Sequence, residues 1–213
     1  MFETSSTSLP EKHCRVRRGK LPIWIRRITR SKYRKVLPYL MRDFQNRCAY
    51  CMRLLTSNTE THVDHFDPRK KNDKIQQYSN LFPADARCNL TKGDRWPTKE
   101  EQALGIRFLN CCEEVDYGEC IFEEPKTGRL IGTTVAARYH IESLQLNCPE
   151  LCRFRRERAR TAIVVRDAEA AAADKPGQLL PDAASAIERL KKLLENEIPL
   201  IPPPPEIDGK IYE

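Results

Sequence analysis

Two cysteines separated by two residues, Cys48 and Cys51, form the first group in the chain whose spacing suits chemistry. Such a pair can reach one metal ion from a tight turn, as in a zinc knuckle. A redox pair is the alternative, but it normally opens a helix after a strand, whereas Arg53-Leu54-Leu55 and a polar turn follow here. We therefore expect a structural zinc ion with Cys88 as its third ligand.

The fourth zinc ligand is less well specified. In many zinc-knuckle folds a second CxxC pair completes the site, and Asp85 occupies the position of its first cysteine here. An aspartate oxygen can bind zinc, and His62, Cys111 and Cys112 are other candidates. A metal-free set of buried thiols is the competing interpretation, because free cysteine packs as a small hydrophobic residue.

A second group, around Asp64 and His65, could support phosphodiester hydrolysis. Asp64 offers a hard oxygen ligand to a divalent ion, and the neighbouring His65 titrates near neutral pH. Hydrolysis needs an ion to neutralise the charge that develops on the phosphate and a base to deprotonate the attacking water. Asn80 and Asn89 add amide groups, and an amide with a carboxylate leaves a metal open to phosphate oxygens and water.

In order and spacing these residues resemble the HNH endonuclease family, the ββα-metal nucleases. The resemblance covers about residues 46–97. It rests on separated matches, namely Cys48 and Cys51, Asp64-His65 with Pro68, Asn80-Leu81, and Cys88-Asn89 with Lys92. It implies two short strands that present residues 53–65, and a helix that begins near Asp85 and carries Asn89.

The resemblance also implies a role for each matched residue. Asp64 and Asn89 would hold one Mg²⁺ or Mn²⁺ ion, and His65 would be the general base. Asn80 would fix the intervening loop and so orient His65, while Lys92 would lie near phosphate or brace the helix. The implied activity is an HNH endonuclease that cleaves nucleic acid, with DNA as the first expectation and RNA as the alternative.

Sequence on both sides of this block resembles the HNH proteins of retron-associated and Septu-type anti-phage systems. The matches are a basic N-terminal arm, Asp94-Arg95-Trp96-Pro97, a hairpin around Gly128, and residues 141–147 followed by Leu151 and an arginine-rich helix. In those systems the nuclease accompanies an ATPase subunit. The resemblance therefore implies an antiviral defence role, an ATPase partner and phage or host nucleic acid as the target.

Positive charge is concentrated near the N-terminus. The chain has 37 basic and 30 acidic residues, a net charge of +7, yet residues 12–35 hold eleven basic residues and no acidic one. Such a patch favours a polyanionic partner, nucleic acid first, although a solvated arm that keeps the protein soluble is the alternative. The candidate nucleic-acid-binding residues are Arg26, Arg27, Arg30, Lys32, Arg34 and Lys35.

The helices and strands predicted from the sequence indicate an α+β fold. It is mainly helical, built around a small ββα-metal core with a zinc knuckle, and it has an additional β-hairpin within residues 119–135. Helices are predicted at about residues 31–45, 98–112, 135–146, 149–172 and 182–196, the second opened by a Thr98–Glu101 capping box. On a strand, His62 would lie on the same face as Asp64 and opposite His65, where a hydrogen-bonded neighbour is the expected role.

We divide the chain into four segments. These are the basic arm and helix (1–45), the nuclease core (46–97), a helical and hairpin extension packed on the core (98–173), and a C-terminal helix with a proline-rich tail (174–213). Nine cysteines without an export signal or a membrane-spanning run favour the cytoplasm. Two other functions stay open: a zinc-stabilised nucleic-acid-binding module without catalysis, and an interaction subunit that acts through its C-terminal helices.

Overall fold

The computed structural model describes residues 14–21, 28–29, 32–73, 75–174 and 181–196. Within these ranges the chain forms six α-helices and two separate two-stranded sheets, so the predicted α+β class is confirmed. None of the helices in these ranges combines the length and the apolar character that crossing a bilayer requires.

The central unit is an antiparallel strand pair followed directly by a helix. Strand β1 (Thr61–His65) pairs with β2 (Leu81–Asp85) in a register that sets Asp64 opposite Phe82. Helix α1 (Tyr33–Asp43) precedes the strands and helix α2 (Ala86–Lys92) follows them. The antiparallel pairing brings the start of α2 back beside the start of β1, so one short helix can reach residues along the whole strand.

The strand positions differ in part from the sequence expectation. Two short strands were expected to present residues 53–65, but only β1 lies in that span, and its partner comes from beyond the loop at 66–80. Residues 47–54 form a separate turn closed by an isolated bridge between Arg47 and Leu54. The helix expected near Asp85 does begin there, with Asp85 as its N-cap residue.

The remaining elements follow the central unit along the chain. They are α3 (Lys99–Ala103), β3 (Ile121–Glu123), β4 (Leu130–Gly132), α4 (Val135–Ser143), α5 (Pro149–Asp174) and α6 (Pro181–Asn196). Strands β3 and β4 pair antiparallel, which confirms the predicted hairpin. The helices predicted near residues 135, 149 and 182 are also confirmed.

Helix α3 is shorter than predicted, although its start is correct. Thr98 and Glu101 form the predicted capping box. The helix ends at Ala103 because Gly105 adopts a φ of +82°, and the N–H of Ile106 then bonds back to the carbonyl of Glu101 at 3.0 Å. A left-handed glycine with this bond closes a helix and satisfies its last carbonyl groups.

Two apolar clusters pack against the central strand pair, and each contains residues of β2. The first joins Cys48 and Ala84 to Ile121 of the second hairpin and Ile141 of α4. The second packs α1 against β2, and its members include Val36, Leu40, Leu81 and Phe82. The central strands are thus packed against both clusters, and Asp64 on β1 is buried in this interior.

Part of the basic N-terminal segment is used inside the fold. Arg15 forms an ion pair with the buried carboxylate of Asp116, 3.0 Å away. Arg18 donates a hydrogen bond to the carbonyl of Leu81 at 3.0 Å and stacks over the ring of Phe82 at 4.7 Å. Both guanidinium groups therefore stabilise packing, which corrects the expectation that all the cations of residues 12–35 form one external patch.

Candidate functional site

The Cys48–Cys51 segment forms a closed turn. The N–H of Cys48 donates to the carbonyl of Arg53 at 2.9 Å, and the N–H of Met52 donates to the carbonyl of Cys48 at 3.1 Å. Met52 takes a φ of +62°, which reverses the chain after the second cysteine. The turn brings both cysteine side chains to Cys88 in α2, and the three sulfur atoms lie within 4.8 Å of one another.

This trio is the one group of three or more His, Cys, Asp or Glu side chains within the described ranges whose atoms could hold a metal ion. All three cysteines are buried. Burial by itself would raise the pKa of the Cys48 thiol, but hydrogen bonds from Cys51 and Cys88 lower it well below its ordinary value. Three converging sulfur ligands of this kind suit zinc, so the donor set fits the expected structural ion.

Asp85, the expected fourth zinc ligand, does not join the trio. Its carboxylate accepts a hydrogen bond from the N–H of Arg87 at 2.9 Å and caps the first turn of α2. A short acidic side chain at a helix start satisfies N–H groups that have no partner within the helix. The structure therefore assigns Asp85 to helix capping, and its proposed place as a zinc ligand has no geometric support.

Asp64 lies on the face of β1 that is covered by α2, and it is 6% exposed. Its Oδ2 accepts hydrogen bonds from the hydroxyl of Tyr50 and from Lys92 Nζ, the latter at 2.9 Å. Burial raises the pKa of the Asp64 carboxyl, while the nearby ammonium and hydroxyl pull it back down. Both bonds end on Oδ2, which leaves Oδ1 as the oxygen that can take a further ligand.

Lys92 and Asn89 occupy one side of α2, three residues apart, and meet the same face of β1. Lys92 is fully buried and also donates to the backbone carbonyl of His65 at 2.7 Å. The Nδ2 atom of Asn89 lies 3.0 Å from Nδ1 of His62. The structure thus brings Asp64 to Lys92 and Asn89 to His62, so the two proposed ligands of the catalytic ion are engaged with different partners.

His62 takes the role expected for it, that of a hydrogen-bonded neighbour. Its Nε2 atom lies 3.0 Å from Oε1 of Glu60, an exposed side chain two residues earlier. Its other ring nitrogen faces Asn89. Because the bond to His62 uses the nitrogen of the Asn89 amide, the Oδ1 atom of Asn89 stays available for an ion.

His65 lies on the opposite face of β1 from Asp64, as the period of a strand dictates. Its Nε2 atom is 2.9 Å from the hydroxyl of Tyr33 and 2.8 Å from Oε1 of Gln76. The ring also meets the Tyr33 ring edge-on, with centroids 5.7 Å apart. The imidazole is therefore held by α1 and by the loop between the strands.

Asn80 fastens the loop that follows His65. Its Oδ1 accepts from the N–H of Asp67 at 2.8 Å, and its Nδ2 donates to the carbonyl of Asp67 at 3.1 Å. The N–H of Phe66 donates to the carbonyl of Asn80 at 2.9 Å. These three bonds hold both residues after His65, which is the geometry that the expected orienting role of Asn80 requires.

Three residues of the site were missed by the sequence reasoning. Tyr50 sits inside the cysteine turn, Tyr33 opens α1, and Gln76 lies in the loop between β1 and β2. The position of Tyr50 between two expected ligands was a usable signal. Tyr33 and Gln76 had none, because they reach His65 only through long-range folding.

The expected nucleic-acid-binding cations are only partly described. Arg26, Arg27 and Arg30 lie outside the described residues. Lys32 is half-buried, while Arg34 and Lys35 are exposed at the first turn of α1. These cations flank Tyr33 in the chain, and Tyr33 contacts His65.

Residues 48–95 match a family model described as HNH endonuclease. The matched span contains the cysteine trio together with Asp64, His65, Asn80, Asn89 and Lys92. The match supports the HNH family for this segment and, with it, a nuclease domain that binds a divalent metal. Searches of curated proteins and of solved structures gave no significant match to the chain.

Proposed function

We propose that this protein is a metal-dependent endonuclease that hydrolyses phosphodiester bonds of nucleic acid, with DNA as the expected substrate. The family match over residues 48–95 supports this proposal. The succession of β1, β2 and α2 supports a ββα-metal core at its centre. The observation that carries the proposal is the packing of α2 on β1, which sets Asn89 and Lys92 against His62 and Asp64.

Asp64 and Asn89 are the residues proposed to hold Mg²⁺ or Mn²⁺. Carboxylate and amide oxygens are ligands that hard cations prefer, and Oδ1 of each residue is left over by the hydrogen bonds described above. A bound ion would neutralise the charge that develops on the phosphate. Lys92 grips the other carboxylate oxygen, so it fixes the direction in which Oδ1 of Asp64 points.

His65 is the proposed general base, and the backbone is held at its carbonyl and again two residues later. Lys92 binds the His65 carbonyl, and Asn80 binds the backbone of Asp67 two residues later. A base must stay aligned with the water that it deprotonates, and small displacements are costly in rate. Asn80 and Lys92 therefore act as positioning residues in this proposal.

Zinc at Cys48, Cys51 and Cys88 is the proposed structural ion. Their buried sulfur atoms converge where the cysteine turn meets α2. An ion there would tie α2, which carries Asn89 and Lys92, to the turn that carries Tyr50. Its role is to fix the relative positions of these elements.

We also propose a setting for the activity, based on the sequence resemblance outside residues 46–97. The protein would be the nuclease effector of a retron-associated or Septu-type anti-phage system, acting in the cytoplasm with an ATPase subunit. Cleavage measured with and without the product of the neighbouring gene tests this setting. Equal cleavage in both samples would contradict a role for that partner.

The direct test of the nuclease is cleavage of plasmid DNA in Mg²⁺ or Mn²⁺. Replacement of the base in His65→Ala should slow cleavage by about 10²- to 10⁴-fold, the usual contribution of a general base. Its thermal unfolding should remain cooperative. Arg138→Ala, an exposed change on α4, is the control and should cleave like the parent. A His65→Ala protein as active as the parent would remove the proposed base.

A non-catalytic, zinc-stabilised nucleic-acid-binding protein is the second candidate. The observation that favours it is the ammonium of Lys92, which already neutralises Asp64 inside the fold. The two candidates differ in one result. DNA binding that survives chelation of Mg²⁺, with no cleavage in either divalent ion and with the ATPase present, would select the binding protein.

A further inference from the structure

Gln76, in the loop between β1 and β2, is held in one orientation by backbone groups. Its Nε2 donates to the carbonyl of Lys71 at 3.2 Å and to that of Asp73 at 2.6 Å. Its own N–H donates to the carbonyl of Ile28 at 2.8 Å, and the residue is 4% exposed. Since carbonyl oxygens accept hydrogen bonds only, the NH₂ end of the amide faces them and Oε1 faces His65.

This orientation determines which nitrogen of His65 carries a hydrogen. Oε1 of Gln76 lies 2.8 Å from His65 Nε2, and an amide oxygen has no hydrogen to donate. The contact is a hydrogen bond only if Nε2 is protonated. A neutral imidazole has one N–H, so the lone pair of neutral His65 resides on Nδ1.

The hydroxyl of Tyr33 is compatible with the same state. It lies 2.9 Å from His65 Nε2, and a phenol oxygen can accept a hydrogen bond as well as donate one. The Tyr33 hydroxyl and Gln76 Oε1 can therefore both accept from the Nε2 hydrogen. The opposite tautomer would set the Nε2 lone pair against the oxygen of Gln76 and lose that bond in a largely buried position, which is unfavourable.

We propose that Gln76 is a positioning residue that fixes His65 in its Nε2–H tautomer and so makes Nδ1 the proton acceptor. The catalytic consequence rests on the proposed nuclease function, whereas the tautomer itself does not. In the reaction, an O–H bond of water breaks, its proton goes to Nδ1, and the oxygen forms a bond to phosphorus. The bond from phosphorus to the leaving oxygen breaks, and that oxygen takes a proton from solvent.

Gln76 in this role supplies an acceptor for the hydrogen on the far side of the ring. It keeps the ring orientation constant while Nδ1 gains its proton, because Nε2 stays protonated throughout. Orienting partners of this kind typically contribute about 10- to 100-fold when removed from metal ligands. We expect a loss of that order in kcat for Gln76→Leu, with KM unchanged, since Gln76 lies behind the ring.

The decisive measurement is ¹⁵N NMR of the full chain labelled at its histidines, at a single pH well above the ordinary histidine pKa. The chain has four histidines, and His65→Ala identifies the signals of His65 by their disappearance. The parent should show a protonated Nε2 and an unprotonated Nδ1. A parent protein whose His65 carries its hydrogen on Nδ1 overturns the proposal, whatever its activity.

Variants then test whether Gln76 is the cause. Gln76→Leu should lose the pure Nε2–H signature, whereas Tyr33→Phe, which removes the other neighbour, should keep it. An unchanged signature and unchanged kcat in Gln76→Leu would overturn the proposal. If the signatures follow this pattern but no sample cleaves DNA, the role of Gln76 in fixing the tautomer is supported and the nuclease function is contradicted. The parent measurement does not depend on whether a variant folds.

Discussion

Two strand–helix pairs in this protein bury a carboxylate against a cation, in otherwise different surroundings. In the first, Asp64 of β1 meets Lys92 of α2, and in the second, Glu123 of β3 meets Arg158 of α5. All four side chains are buried. Burial also raises the pKa of both carboxyl groups, and the adjacent cation opposes this in each case.

The pairs differ in what else they touch. Lys92 donates a second hydrogen bond to the His65 carbonyl, and the carboxylate of Asp64 also accepts one from the Tyr50 hydroxyl. Arg158 has its Nε and Nη1 atoms buried with no hydrogen-bond partner in the part of the chain that the structure describes. In both places, therefore, a buried ion pair joins a strand to a helix. Only the first pair contains a proposed metal ligand and also bonds the backbone of the proposed base, His65.

Loss of a cysteine proposed to bind zinc should produce the largest difference in stability between the two regions. Cys88→Ser should lose bound zinc and cooperative unfolding, because structural zinc contributes on the order of 10 kcal/mol in small domains. Cys120→Ser, beside the second hairpin and outside the trio, should keep both. Metal analysis and thermal unfolding check this, and equal zinc in the two variants would show that the trio is not the site.

Neutralising each carboxylate should lower stability by a similar amount, but only the change at Asp64 should abolish activity. Asp64→Asn and Glu123→Gln each leave a buried cation unpaired, and this should lower the free energy of unfolding by about 3–5 kcal/mol. At a temperature where both remain folded, Asp64→Asn should lose cleavage while Glu123→Gln keeps the activity of the parent.

Urea unfolding and plasmid cleavage measure these two quantities on the same samples. The comparison fails if Asp64→Asn still cleaves, since the carboxylate would then have no catalytic duty. It also fails if folded Glu123→Gln is inactive, since the second region would then be required for cleavage.

The smallest expected difference concerns the contribution of exposed cations in the two regions to the salt dependence of DNA binding. Lys35→Gln, on α1 near the site, should reduce the slope of log affinity against log salt by about 0.9, the value for one contact with duplex DNA. Arg153→Gln, on α5 and 3.8 Å from Glu157, should leave the slope unchanged. Both should keep stability within about 0.5 kcal/mol. Equal slopes for parent and Lys35→Gln would show that this lysine does not touch DNA.

Local features of the fold were predictable from short stretches of sequence. The Thr98–Glu101 capping box and the start of α5 at Pro149 depend on neighbouring residues alone. The hairpin turn before β4 uses Gly128 at a φ of +69°, which glycine adopts without strain. The strand partner of β1 was not predictable in this way, because its pairing joins segments separated by a loop.

Long-range pairing also decided which charged residues are buried. Arg15 and Lys92 look like surface cations in sequence, but Arg15 is half-buried and Lys92 is fully buried. Each is paired with a carboxylate from another part of the chain, Asp116 and Asp64. Asp85 illustrates a different ambiguity. An aspartate at a strand–helix junction can serve either as a metal ligand or as a helix cap. The sequence could place the cysteines of the trio in order, but it could not choose between those two roles.

Tyr50 lies between Cys48 and Cys51, and its hydroxyl binds Asp64. One four-residue turn thus joins the sulfur cluster to the carboxylate on which the proposed chemistry depends. A displacement of this turn would therefore also move the tyrosine hydroxyl away from Asp64, so the positions of the sulfur cluster and of the carboxylate depend on the same four residues.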